Sequence, residues 1–286
     1  MKTKTLFLLV PLLIATLACN ISGSSRNPNT LPISATAPSI TSTVASTFTP
    51  IPTLTPTQPP ANVPPTPMLS QTVSMQSTPF GESGAAPVYT ITAQIPNLQG
   101  SGDSRVADFN ARLNQIVQNE ITTFRNGILA SAVNPPISAG SSLDIKYSVI
   151  GQRGDIWSVK FDISFYADGA AHPGLYSTTI TYDLSNGREI TLGELFIPNS
   201  NYLQAVSDYC KAQLSTRDIG FESNQQGADP LPENYQRWNI SNDGLTITFD
   251  EYQVAAYAAG PQIVTIPFSA LQSVISPNSA VGWFTQ

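Results

Sequence analysis

The chain has 286 residues, 13 Lys and Arg against 19 Asp and Glu, and a formal net charge of −6 at pH 7. An acidic balance without a basic cluster excludes nucleic acid as a partner. One histidine excludes two- and three-histidine metal centres, and two cysteines leave no zinc-binding cysteine set.

In chain order, Lys2 and Lys4 precede an apolar run from Leu6 to Ala18, shorter than the roughly 20 residues a membrane-spanning helix needs. A charged start, a short apolar middle and small residues before a cut form the pattern of an export signal. Thr16, Leu17 and Ala18 ahead of Cys19 resemble a bacterial lipobox. Residues 1–19 are therefore expected to be a lipoprotein signal peptide. Cys19 would become the lipidated N-terminus, holding the protein to the extracytoplasmic face of a bacterial cell membrane. An ordinary secretory signal with a chance cysteine is the competing reading. A lipidated Cys19 leaves Cys210 without a disulfide partner, so the folded part must be stable through its core alone.

Residues 20–87 are rich in Ser, Thr, Pro and Ala, with Arg26 and Glu82 as the only charges. Stretches such as TFTPIPTLTPTQPPANVPPTPM carry neither a helical nor a strand period, and proline removes amide hydrogens that a ladder requires. They are expected to form a disordered Ser/Thr/Pro-rich linker that lifts a domain clear of lipid headgroups.

Periodic structure is expected from residue 88. VYTITAQI reads as a strand, with Asp103 or Ser104 as a helix cap after the glycine turn. Val106, Phe109, Leu113, Ile116, Val117, Ile121, Phe124 and Ile128 recur at spacings of one, three and four, which predicts a long amphipathic helix ending near Gly127 or soon after it. LDIKYSVIG, DIWSVKFDISFYA and LYSTTITYDL alternate as half-buried antiparallel strands do, and Asn186-Gly187 predicts a tight hairpin turn. A second helix over NYLQAVSDYCKAQL aligns Leu203, Val206, Cys210 and Leu214 on one face. The polar loop from Ser215 to Glu233 is expected to bury little, with Trp238 marking the return to the core. GLTITF and QIVTIPF read as the last strands.

The chemistry available is sparse. His172, in DGAAHPGL between two strands, is open to a structural, binding or catalytic role. No nucleophile elbow, phosphate-cradling loop or calcium loop occurs, and neither metal nor cofactor is expected. Glu189 with Glu194, or Asp250 with Glu251, could serve as paired carboxylates of a hydrolase acting on the cell wall. Residues 88–286 carry 10 Lys and Arg against 18 Asp and Glu, a formal balance of −8, which suits a cationic partner through steering or serves solubility alone.

From His172 onward the residues resemble a known family. AAHPGLYSTTITYDLSNGREITLGELF, and then DGLTITFDEYQVAAYAAGPQIVTIPFSAL, are similar to the extracytoplasmic domain of RsiV-type anti-sigma factors. That domain is shared with PdaC-type peptidoglycan deacetylases, outside their catalytic module, and with a secreted mycobacterial antigen. The resemblance implies an α+β domain of antiparallel sheet and packed helices in two parts: residues 88–170 with the long helix, and residues 171–286 as the better-matched subdomain. It also implies a recognition role whose partner is a cationic protein such as lysozyme, or a cell-wall component. No sigma-binding segment, membrane-spanning helix or deacetylase module is read in this sequence.

In DEYQVAAYAAGPQ, residues 250–262, the small residues Ala255, Ala256, Ala258 and Ala259 are expected to let the backbone lie close against its neighbours. Tyr252 and Tyr257 are either scaffold or part of a recognition edge. The expectation is a non-catalytic binding domain with Tyr252, Tyr257 and His172 as its candidate contacts; a hydrolase and a purely structural surface protein are the alternatives.

Overall fold

The computed structural model describes residues 68–132 and 135–285. The signal peptide, Cys19 and the linker up to residue 67 lie outside the described residues.

The fold is α+β and contains two cores. The first belongs to a six-stranded sheet whose strands lie side by side in chain order: β1 (Ser74–Ala85), β2 (Val88–Gln99), β3 (Ser141–Arg153), β4 (Ile156–Tyr166), β5 (Gly174–Asp183) and β6 (Arg188–Glu189). Neighbours are antiparallel except β2 and β3, which run parallel over Tyr89–Ala93 and Ser141–Ile145. The meander expected from alternation thus holds from β3 onward. The parallel step follows from helix α1 (Ser104–Phe124), which carries the chain back along the sheet before β3 begins.

Asp103 caps α1, its Oδ1 accepting from the amide of Arg105 at 2.9 Å, and the Arg105 side chain holds its carboxyl down to about 2. Burial of Val106, Phe109, Leu113, Ile116, Val117, Ile121 and Phe124 follows the predicted stripe. They meet Ile91, Leu143, Ile145, Val159, Phe161, Ile163 and Ile180, every second residue of their strands, and Phe109 stacks on Tyr182 with centroids 4.5 Å apart. A π turn, Arg125–Leu129, continues α1 through Gly127 to the end expected from the sequence.

Two boundaries differ from the sequence reading. Folded structure begins by Leu69 rather than residue 88, because β1 pairs with β2 along twelve residues, turning Val73, Met75 and Phe80 toward the first core. At its start, the Asp155 carboxylate accepts from the amides of Leu69 and Ser70 at 3.3 and 2.8 Å. The second boundary falls after Leu184 rather than at 170, since β5 is bonded to β4 over ten residues and its Ile180 and Tyr182 fill the first core.

The second core lies among α2 (Tyr202–Leu214), the antiparallel sheet of β7 (Trp238–Ile240), β8 (Leu245–Phe249) and β9 (Gln262–Ile266), and the C-terminal turns that carry Phe268, Leu271, Ile275 and Val281. Cys210 is fully buried there, and burial pushes its thiol up to about 12. The loop after α2 is not the poorly buried segment expected. Phe221, Ala228 and Tyr235 enter the core, and the hydroxyls of Ser207 and Tyr235 both donate to the Ala228 carbonyl at 2.6 Å.

The cores join where β7 crosses β3, β4 and β5. Ser158 of β4 accepts from the Ile240 amide at 2.9 Å, and Asn239 donates to Ser158 Oγ at 3.0 Å. Gly151 makes the approach possible: a Cβ there would stand 2.3 Å from the Ile240 carbonyl oxygen. Arg153 also places its guanidinium 3.3 Å from the ring centroid of Trp283.

Candidate functional site

The outer edge of β5 pairs with β6 only at Tyr182 and Asp183, so the amides nearer its start need other partners. The loop after β8 supplies them. Glu251 accepts from the Leu175 amide at 3.0 Å and Asp250 from the Ser177 amide at 2.9 Å. Arg237 bridges the same place, donating to the Ser177 carbonyl at 3.1 Å and pairing with Asp250 at 2.5 Å. Burial raises the Asp250 carboxyl, opposed by the Arg237 charge and the Ser177 amide. Asp250 and Glu251 therefore hold the strand edge.

The other proposed carboxylate pair is committed as well. Glu189 pairs with Arg112 in a very short contact. Glu194 closes a capping box with Thr191, accepting from its amide at 2.6 Å, and pairs with Arg188 at 2.5 Å.

Docking of the loop on β5 brings together the three residues singled out from the sequence. His172 lies in the connection before β5, eighty residues from Tyr252. Its ring stacks on Tyr257 with centroids 3.9 Å apart and an interplanar angle of 28°, and Tyr257 in turn stacks on Tyr252 at 5.7 Å. The Pro173 carbonyl accepts from His172 Nδ1–H at 2.8 Å and from the Tyr257 hydroxyl at 3.0 Å. A carbonyl cannot donate, so the proton sits on Nδ1 and Nε2 offers its lone pair to the Tyr252 hydroxyl at 3.3 Å. His172 and Tyr252 are exposed, Tyr252 at 60%, while Tyr257 is half-buried between them.

The backbone at Tyr252 is left-handed, with φ of 66°, a conformation that costs an L-residue on the order of 1–2 kcal/mol. Gln253 holds it there. Its Nε2 donates to the carbonyls of Gly227 and Asn234 at 3.0 and 2.9 Å, and its Oε1 accepts from the Asp250 amide at 3.2 Å. The backbone of Gln253 passes directly over Gly227, where a Cβ would lie 1.7 Å from its carbonyl oxygen. That crossing, rather than the alanines, is the close approach in this segment. Ala255 alone of the four is buried, and Ala256 and Ala258 are exposed.

Gln253 and Gly227 carried no sequence signal of their own, and Pro173 stood only within the resembling stretch AAHPGL. Nothing local marks a glutamine that reaches carbonyls 19 and 26 residues away. Among the described residues no group of acidic, His and Cys side chains is placed to hold a metal ion, and no helix is long and apolar enough to cross a membrane.

The α+β fold of this chain is shared with known proteins. Residues 193–269 match the model of a family described as a protein of unknown function, DUF3298, so a DUF3298 domain is present in this chain. Tyr252 and Tyr257 fall inside the matched residues and His172 outside. The chain is 27% identical over 138 residues to the peptidoglycan-N-acetylmuramic acid deacetylase PdaC of Bacillus subtilis, covering 47% of this chain and 29% of that protein. It therefore spans less than a third of that relative's length. It is 28% identical over 196 residues to the immunogenic protein MPB64 of Mycobacterium bovis, covering 66% of this chain and 79% of that protein. A crystal structure of a DUF3298 family member from Bacteroides fragilis shares the fold with a TM-score of 0.54 at 17% identity, over 73% of this chain and 96% of the other. One from Pseudomonas aeruginosa does so with a TM-score of 0.51 at 14% identity, over 72% and 94%.

Proposed function

We propose that this chain is an extracytoplasmic lipoprotein, anchored through Cys19, whose body recognises a cell-envelope ligand or cationic protein through His172, Tyr252 and Tyr257 without transforming it. The observation that carries this reading is the assembled stack: two loops distant in sequence converge on three aromatic rings, and the exposed Tyr252 is held in a strained backbone conformation. Strain of this kind gathers where a side chain must be presented in one orientation. Exposed tyrosines offer π faces to arginine, lysine or a sugar ring, and the excess of acidic residues favours a cationic approach. The commitment of Glu189, Glu194, Asp250 and Glu251 to structural partners favours binding over acid–base hydrolysis. The sequence relationship to a protein named for peptidoglycan, which lies outside the membrane, supports the same location.

The test is binding of lysozyme, as a strongly cationic envelope-active protein, by the full chain at low and moderate salt. Retention at low salt, weakened about tenfold or more by Tyr252→Ala or Tyr257→Ala, is expected. No retention at either salt concentration overturns lysozyme as the partner. Products released from peptidoglycan fragments would overturn the non-catalytic reading. Mass spectrometry of the mature N-terminus checks the lipid on Cys19.

A further inference from the structure

We propose that the apolar cavity between the C-terminal end of α1 and the six-stranded sheet is a binding site for a small organic ammonium ion with an aromatic or branched aliphatic body. The cavity has a volume of about 190 Å³. Its walls include Phe124 and Ile128 from the helix end and Leu143, Phe165 and Tyr176 from the sheet. An apolar protein cavity of roughly 150 Å³ accepts benzene, so this one has room for a ring and a short chain. Phe165 and Tyr176 meet edge to face with centroids 6.0 Å apart, leaving aromatic surface for a ring or a cation.

Glu120 in the wall sets the charge of the ligand. Its half-buried carboxylate accepts from the Tyr176 hydroxyl in a very short contact and from the Thr178 hydroxyl at 3.3 Å. Both donors are neutral. Every ion pair among the described residues is made by other groups, so Glu120 has no counter-ion there. A carboxylate has about four acceptor positions, two of which these hydroxyls use. An ionised carboxylate partly removed from water gains most from a charge-assisted hydrogen bond, and an ammonium group carried on an apolar body supplies one.

The backbone supports the same assignment independently. The chain widens into the π turn at Arg125–Leu129, where Gly127 and Ile128 line the cavity, and such turns recur at functional sites. A Cβ built at Gly127 meets nothing within 4 Å, so the approach there is open. None of these residues belongs to the aromatic stack, and the proposal does not depend on the recognition role given to it.

The alternative is that Glu120 only fastens α1 to β5. Titration of the full chain with phenethylammonium and with 2-phenylethanol, its neutral counterpart, followed through the methyl resonances of Ile128 and Leu143, separates the two. Saturable shifts are expected, with the cation bound about tenfold or more tighter than the alcohol. Glu120→Gln should remove that preference while leaving alcohol binding in place. Thr123→Trp, a change at an exposed residue of the cavity wall, should weaken both ligands. Absence of saturable shifts, equal affinity for cation and alcohol, or a Glu120→Gln protein that keeps its preference would overturn the proposal. Should Glu120→Gln fail to fold, unchanged binding by Thr123→Trp would overturn it.

Discussion

Tyr252 concentrates the argument at the level of single residues. Its left-handed backbone favours glycine, yet the chain places there a side chain that is 60% exposed and bonded to His172. Comparing two truncations separates backbone from ring: Tyr252→Gly should be more stable than Tyr252→Ala by about 1 kcal/mol in denaturant unfolding, although both lose the ring. Equal stabilities would mean that the loop relaxes once the side chain is gone. Cys210 allows a prediction of the opposite kind. Burial raises its thiol, so the stability linked to its proton is fully present below the unfolded value of about 8.5 and is lost as pH rises toward the folded value of about 12. Between pH 8.5 and 10.5 the unfolding midpoint should fall more steeply for the native protein than for Cys210→Ala. Iodoacetamide should label Cys210 only after unfolding, and labelling of Cys210 itself in the native protein, mapped apart from Cys19, would contradict the buried placement.

Among the elements, α1 and β1 show why part of the fold was legible and part was not. The α1 stripe repeats over seven buried residues, and no other local arrangement satisfies that period. β1 reads SMQSTPFGESGA, where proline, two glycines and hydroxyl residues look like the linker before it. As an edge strand it turns few apolar side chains inward, so its place comes from the ladder with β2. A chain starting at residue 88 should consequently lose about 2–4 kcal/mol relative to one starting at residue 68, through exposure of surface that Val73, Met75 and Phe80 now cover. Matching denaturation curves would show that β1 contributes little. The site was legible residue by residue and illegible as a site. His172 stood out as the single histidine and the tyrosines as the large rings of the 250–262 stretch, but their convergence is set by Asp250, Glu251 and Gln253, whose partners are remote in sequence. Gly227→Ala tests that dependence: its Cβ would displace the Gln253 backbone, costing about 1–3 kcal/mol and reducing lysozyme retention although no stacked residue is altered.

At the scale of the described residues as a whole, the two cores are joined by buried polar contacts at Ser158 and Asn239 and by the loop that covers β5, so the aromatic stack and the sheet share one set of hydrogen bonds. The acidic balance acts at this scale too. Association with a cationic partner should slow and weaken as salt rises from low to physiological strength, and salt-independent association would assign the contact to apolar surface alone. The grip of Asp155 on the amides of Leu69 and Ser70 would take on a mechanical meaning under the proposed anchoring through Cys19. A pull applied at residue 68 would arrive first at that clasp and only then at an outermost strand with one neighbour, so two charge-assisted bonds would stand between such a tug and the unravelling of the sheet.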